Sequence, residues 1–467
     1  MSESVTGLGG AAPTAPSVTL RRLHLLDIGP DQRRALVRRS AGTGEDVRDA
    51  ARAIVRAVRS GGDDALRDLG GRHGGAWTEG IQPGSPAGTP PPIRVPVERL
   101  RAAAGALAPE LREGLLLMAR HIEAFHRVQV PPREQWVDVA PGIRVGRVWR
   151  PLDRVGIYVP GGEAAYPSSL LMGVIPARLA GVGEVAVASP AGRDGSLSPV
   201  LLGAAGLLGV EEFYAMGGAQ AIAALAHGTA TVRAVDRIVG PGNAWVTAAK
   251  LEVLGDVAID MPAGPSEVMV LADGRADPAH VAADLLSQAE HGPDSAAVLV
   301  VTDEAIADAV QAELDRQLPL QPRLRFLAAS LGSAGLIVVA GGLDDAVAFV
   351  NEYAPEHLSV AVDGAAELLA RIRHAGSVFL GAYAPESAGD YATGSNHILP
   401  TGRLARAYGP LSVEAFGHWM QAQVVDRAGL ASIAPAVAAV AEAEGLIAHR
   451  HAVEIRFEER TPEARTR

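Results

Sequence analysis

From about residue 145 onward, short apolar runs rich in β-branched residues alternate with stretches of helical spacing, and no other feature of the chain constrains its fold as tightly. The runs occupy residues 155–159, 185–188, 213–215, 238–239, 268–271, 298–301, 336–339 and 378–380. Between them, residues 170–180, 219–226 and 305–314 carry apolar side chains at the spacing of one helix face. A strand covered by helices on both faces reads as a continuous apolar run, so this alternation predicts βαβ units in parallel sheets. At 467 residues the chain exceeds one typical core. Two doubly wound sheets fit that length better than one.

The flanks differ in character. Residues 1–17 are rich in Gly, Ala, Pro and Ser and have no basic residue ahead of an apolar core, so they read as a frayed start and not a signal peptide. Residues 79–92 are rich in Gly and Pro and predict an exposed loop ahead of helices at 100–127. Alanine-rich sequence at 430–448 predicts a helix, and the alternation Ala452-Val453-Glu454-Ile455-Arg456-Phe457 predicts a strand. This C-terminal segment is too short to hold its own core, which points to packing against a partner. No clear internal repeat is present.

Composition removes several function classes. A net charge of −11 with no Lys/Arg run argues against nucleic acid as a partner. The absence of cysteine excludes disulfides, thiolate metal sites and covalent cysteine mechanisms. Any metal must therefore use imidazole, carboxylate or amide ligands. No apolar run approaches the length that spans a bilayer, and a cytoplasmic protein is expected.

Polar chemistry gathers in a few blocks. Ser287-Gln288-Ala289-Glu290-His291-Gly292-Pro293-Asp294 puts a carboxamide and an imidazole three residues apart at the end of a predicted helix, where that spacing aims both at one spot. The bland account is a histidine facing the helix dipole and a glutamine facing water. Asn351-Glu352-Tyr353-Ala354-Pro355-Glu356-His357-Leu358 sets a carboxylate beside an imidazole ahead of the β-rich run 358–362. Adjacent strand residues point to opposite faces, so both serve one site only if the Pro355 turn bends the backbone. If functional, His357 is the natural proton acceptor and Glu356 the natural activator of water. In Gly389-Asp390-Tyr391 through Gly394-Ser395-Asn396-His397, turn chemistry explains Gly, Asp, Ser and Asn but not His397. Gly240-Pro241-Gly242-Asn243-Ala244-Trp245 opens a helix after a strand like half of a dinucleotide fingerprint, with Trp245 where a third glycine would stand. Val159-Pro160-Gly161-Gly162 offers a second such turn, and either is equally explained as a tight left-handed turn.

Taken in order, Tyr158-Val159-Pro160-Gly161-Gly162, Tyr166-Pro167-Ser168-Ser169, Gly217-Gly218-Ala219-Gln220-Ala221-Ile222, Gly240-Pro241-Gly242-Asn243, Ala263-Gly264-Pro265-Ser266-Glu267, Ser287 to His291, Ala354 to Leu358, Gly389-Asp390-Tyr391 and Asn396-His397 resemble the histidinol dehydrogenases, from about Arg144 to His449. The resemblance implies an α/β fold of two Rossmann-like domains with small N- and C-terminal extensions, unrelated to the aldehyde dehydrogenases. The implied division is an arm at 1–47, a first domain from 48–157 with 267–408, a second, NAD-binding domain at 158–266, and a tail at 409–467. It also implies a zinc-dependent, NAD-dependent oxidation of L-histidinol through the aldehyde to L-histidine. Carried over, zinc is held by Gln288, His291, Asp390 and His449. Substrate is bound by Ser266, Gln288, His291, His357, Asp390, His397, Glu444 and His449, and NAD is contacted by Tyr158, Gln220 and Asn243. Glu356 and His357 are the implied proton acceptors, and in a homodimer Glu444 and His449 complete the neighbour's site.

The residues suit that chemistry. With no cysteine to trap the aldehyde, water must add to it, and Glu356 is typed to activate that water. The run from Phe416 to Arg427 and the loop 79–92 depart from the family pattern without touching a matched site residue. Three alternatives remain open: oxidation of another small polar alcohol, a zinc hydrolase with no nucleotide, and a catalytically dead binding protein.

Overall fold

The computed structural model describes residues 18–39, 44–73, 75–81, 85–86, 88–161 and 165–458. The frayed start at 1–17, Gly162, and part of the loop 79–92 lie outside the described residues. Among them the strands run in chain order β1 (Arg21–His24), β2 (Arg94–Val95), β3 (Glu134–Ala140), β4 (Ile143–Pro151), β5 (Arg154–Tyr158), β6 (Glu184–Ser189), β7 (Glu212–Ala215), β8 (Arg237–Val239), β9 (Ala258–Ile259), β10 (Glu267–Ala272), β11 (Ala296–Val301), β12 (Leu336–Val339), β13 (His357–Ala361), β14 (Ser377–Leu380) and β15 (Gly417–Val425).

Residues 1–129 and 152–416 make one compact unit, and 130–151 with 417–467 make a second. The first contains two six-stranded sheets, ordered β1-β12-β11-β10-β13-β14 and β2-β7-β6-β5-β8-β9. Every pairing is parallel except β2 with β7. Each sheet is covered on both faces. Val268, Val270, Leu299 and Ile337 pack into one cluster, and Met269, Leu271, Val300 and Val338 into another. Val155 and Ile157 face one core of the other sheet, and Tyr158, Ala186 and Tyr214 face its opposite core. Burial on both sides is why these strands carry apolar side chains throughout.

Strand pairing corrects the expected division. The arm supplies β1 to the sheet of β10–β14, while β2 and β5, expected with 267–408, pair instead with strands of 184–259. Long-range pairing leaves no local trace, so the grouping could not be taken from spacing.

In the second unit β15, β4 and β3 form an antiparallel sheet, followed by helices Arg427–Ala443 and Ile447–Glu454. The strand expected at 452–457 is therefore wrong. Arg450 pairs with Glu454 one turn on, at 2.7 Å, and with Glu442 at 3.2 Å, while Gly445 at φ 73° turns the chain between the helices. Those helical pairings outweigh a brief alternation.

Candidate active site

The leading ends of β5, β6 and β7 are tied by charge. Arg154 donates to Glu184 at 2.6 Å and through both terminal nitrogens to Glu212, at 3.1 and 2.6 Å. Tyr214 donates to the same Glu212 carboxylate at 2.5 Å, and the Arg154 partnership holds the Glu212 carboxyl down at about 2. The opposite, carboxyl ends of these strands are thereby free to carry a ligand site.

There a cavity of ≈ 980 Å³ is lined by Tyr158, Gly161, Ser189, Gly218, Gln220 and Asn243, among others. The Gly218 N–H donates to the Tyr158 hydroxyl at 3.1 Å. Asn243 caps the helix Ala244–Val253, its side-chain oxygen accepting from Trp245 and Val246 N–H at 3.1 and 3.2 Å, which leaves its NH₂ free to face a ligand. Gly240 has φ 117°, and a β-carbon there would collide with the Tyr158 carbonyl. The buried side chains of Lys250 and Asp260 clamp that turn. The ammonium donates to the Gly240 carbonyl at 2.5 Å and to Asp260 at 2.7 Å, and Asp260 accepts from the Gly240 N–H at 2.8 Å.

A second cavity, ≈ 690 Å³, shares Tyr158, Gly161 and Asn243 with the first and is lined further by Ser266, His291, Glu356, His357, Asp390 and His397. The bend required at Pro355 is present. Helix Leu343–Tyr353 ends on Ala354 in the left-handed conformation, φ 51°, and Glu356 precedes the first strand residue, His357, so that both line the cavity. In this sheet the pair sits at the leading end of β13, against the usual placement at carboxyl ends.

Glu356 accepts from the Ser266 hydroxyl and from the Glu267 N–H, each at 2.8 Å. Burial nevertheless pushes its carboxyl well above the ordinary range. His357 Nδ1 lies 3.3 Å from the Glu267 carbonyl and 3.4 Å from the Glu386 carboxylate, and its Nε2 has no hydrogen-bond partner. Burial lowers its pKa to about 4, so the imidazole is neutral at ordinary pH and free to accept a proton.

Asp390 sits on the short helix Glu386–Tyr391, 3.7 Å from His291 Nε2, 3.8 Å from His357 Nε2 and 3.7 Å from His397 Nδ1. Burial would raise its carboxyl, but the imidazoles of His397, His357 and His291 outweigh that and hold it below its ordinary value. His397 is fixed from behind, with Nε2 2.9 Å from the Ser169 hydroxyl. Gly389 is glycine because the Phe379 ring, which stacks on His357, occupies the space a β-carbon needs.

Gln288 lies in the last turn of helix Pro278–Ala289 and His291 just beyond it. Gln288 is fully buried, and neither its oxygen nor its nitrogen has a partner. Such a group costs ~1–3 kcal/mol unless a ligand satisfies it. His291 Nδ1 is 3.2 Å from the Ser287 carbonyl, which leaves Nε2 for the cavity. Glu444 and His449 belong to the second unit, where they line a shallow apolar depression with Val437, Val440 and Leu446.

Two acids, Glu386 buried and Asp284 half-buried, were not singled out from sequence. Glu386 has no hydrogen-bond partner on either oxygen, and burial followed by the charges of Asp390, Glu356 and Asp284 raises its carboxyl well above the ordinary range. Asp284, one turn before Gln288, is raised by burial to about 6. Nothing local distinguishes them from surface acids; only their removal from water in the folded chain does.

The model of the family described as histidinol dehydrogenase matches residues 37–457. Among curated relatives, the histidinol dehydrogenase of Moorella thermoacetica is 51% identical over 367 residues, covering 78% of this chain and 86% of that one. That of Methanothermobacter thermautotrophicus is 45% identical over 415 residues, covering 89% and 94%. The crystal structure of histidinol dehydrogenase from Elizabethkingia anophelis superposes with a TM-score of 0.85 at 37% identity, covering 94% of this chain and 98% of that one. With nearly the whole chain matched in sequence and in fold, this protein belongs to the histidinol dehydrogenase family, the oxidoreductases of the final step of histidine biosynthesis.

Proposed function

We propose that the chain oxidises L-histidinol through L-histidinaldehyde to L-histidine with NAD⁺ as oxidant and one Zn²⁺ per subunit. The observation that carries this is a neutral imidazole, His357, beside a carboxyl, Glu356, in a cavity that also holds Ser266, His291, Asp390 and His397. Membership of an oxidoreductase family sets aside the hydrolase and the dead binding protein.

The donor set fits the metal. Among the described residues no three His, Asp or Glu side chains gather into a metal site. His291 and Asp390 supply two such ligands, the unsatisfied Gln288 oxygen a third donor, and His449 of a second copy the fourth. All are nitrogen or oxygen donors, suited to zinc or manganese. Such a metal supplies a Lewis-acid template for the imidazole and amino nitrogens of histidinol, and the dinucleotide takes up hydride. Tyr158, Gln220 and Asn243, which line the larger cavity together with Gly161, would hold that dinucleotide.

His357 Nε2 takes the hydroxyl proton from the carbinol as hydride leaves, and again from the hydrated aldehyde. In its carboxylate form Glu356, oriented by Ser266 and the Glu267 N–H, takes a proton from the water that adds to the aldehyde, and the burial that raises its pKa makes that carboxylate a stronger base. His397, Ser266 and, from a second copy, Glu444 with His449 hold the substrate's polar groups. The homodimer with exchanged tails and a cytoplasmic location complete the proposal; among the described residues no helix is long and apolar enough to cross a membrane.

The test is NADH formation from L-histidinol by purified protein before and after chelation. Two NADH per histidinol, lost with chelator and regained with zinc, is the expected result. No turnover by a folded, zinc-loaded protein would redirect the assignment to another small polar alcohol.

A further inference from the structure

The backbone that orients Glu356 and His357 belongs to Glu267, and Glu267 is held by the N-terminal arm. Its N–H donates to Glu356, and its carbonyl lies 3.3 Å from His357 Nδ1. Its own side chain is buried, yet it points away from this chemistry into an ion pair with Arg39. The Arg39 guanidinium binds that carboxylate as a fork, Nε to Oε2 at 2.8 Å and Nη2 to Oε1 at 2.9 Å. The same Nη2 donates to the Tyr353 carbonyl at 3.0 Å, and the guanidinium carbon lies 3.2 Å from the centroid of the Tyr353 ring. Tyr353 is the last residue of the helix that delivers the bend at Ala354. One cation therefore ties together both segments that meet at the catalytic pair, through the Glu267 side chain at the start of β10 and the Tyr353 carbonyl at the end of the helix leading to Glu356. The Gly402 N–H adds a third segment, donating to Glu267 Oε1 at 3.2 Å.

We infer that Arg39 is a positioning residue for the Glu356–His357 pair, acting through Glu267 and Tyr353. A planar fork is needed, because only a guanidinium meets both carboxylate oxygens while still donating to a carbonyl. A lysine keeps the charge and loses that geometry. The inference rests on the assignment of Glu356 and His357 as proton acceptors, and the experiment separates the two.

Four variants of the full-length, zinc-loaded enzyme are compared with wild type: R39K, the double variant R39M/E267Q, E356Q and H357N. R39K is expected to lower kcat by about ten- to a hundredfold, with KM for histidinol and for NAD⁺ within twofold of wild type. R39M/E267Q removes both charges of the ion pair and so leaves neither unpaired, and its melting temperature is expected near wild type while kcat stays depressed. A wild-type kcat in R39K, or recovery of kcat along with melting temperature in the double variant, overturns the inference and leaves the arm a structural strap. Retained activity in E356Q and H357N overturns the assignment of the catalytic pair itself, and the inference with it.

Discussion

His357 and Asp390 show how surroundings set different charge states on neighbours 3.8 Å apart. The imidazole loses its proton because water is excluded from it, whereas the carboxyl keeps its charge because three imidazoles surround it. The proton acceptor His357 and the proposed metal ligand Asp390 are thereby each set by their surroundings. Replacing His357 with Asn should lower kcat by roughly 10²–10⁴-fold for both histidinol and histidinaldehyde as substrates. Replacing Glu356 with Gln should slow chiefly aldehyde oxidation, detected as a fall toward one NADH per histidinol in a single turnover. Equal loss on both substrates in the Glu356 variant would count against its role as the water's proton acceptor.

Strand ends and helix starts contribute to the stability of the lobe that lines the larger cavity. Glu212 titrates at about 2 in the folded chain against 4.5 ordinarily, held down first by its hydrogen bond from Arg154. A depressed carboxyl contributes stability above pH 4.5 and loses it as pH falls toward 2, a contribution of about 3 kcal/mol at neutral pH. Glu212→Gln should therefore lower stability near pH 7 and flatten its pH dependence between 4.5 and 2, measured by urea unfolding across that range. A dependence as steep as that of wild type would show that other groups carry the acid transition. At the start of helix Ala244–Val253, Asn243→Ala removes the cap and should cost about 1 kcal/mol while weakening NAD⁺ binding. An unchanged NAD⁺ affinity in a cap-depleted variant would confine Asn243 to the helix.

At the scale of the whole molecule, the proposed fourth metal ligand and Glu444 lie in a unit built from 130–151 and 417–467. If tails are exchanged between subunits, a mixed dimer of His449→Ala and His357→Ala chains places both lesions in one site and leaves the other intact. About half of wild-type activity per mixed dimer should return on co-refolding the two inactive variants. No recovery, with mixed dimers present by mass, would count against sharing.

Periodicity and apolar runs determined the β-rich segments at 155–159, 185–188, 268–271, 298–301 and 336–339, because strands buried on both faces must be apolar throughout. They did not mark β1, with the charged sequence Arg-Arg-Leu-His at a sheet edge, or the two-residue β2. Nor did they pair β4 with β15, whose partners lie some 270 residues apart. For the site, the ordered blocks that resemble the histidinol dehydrogenases pointed to Gln288, His291, Glu356, His357, Asp390 and His397, whereas residue type alone left only His397 unexplained by turn chemistry. Only the tertiary structure decided that Ala354 bends the chain so that Glu356 and His357 share a cavity, that Gln288 is buried without a partner, and that Arg39 from the arm grips Glu267. Burial, charge state and long-range contact depend on what the rest of the chain places nearby, and no local pattern carries that information.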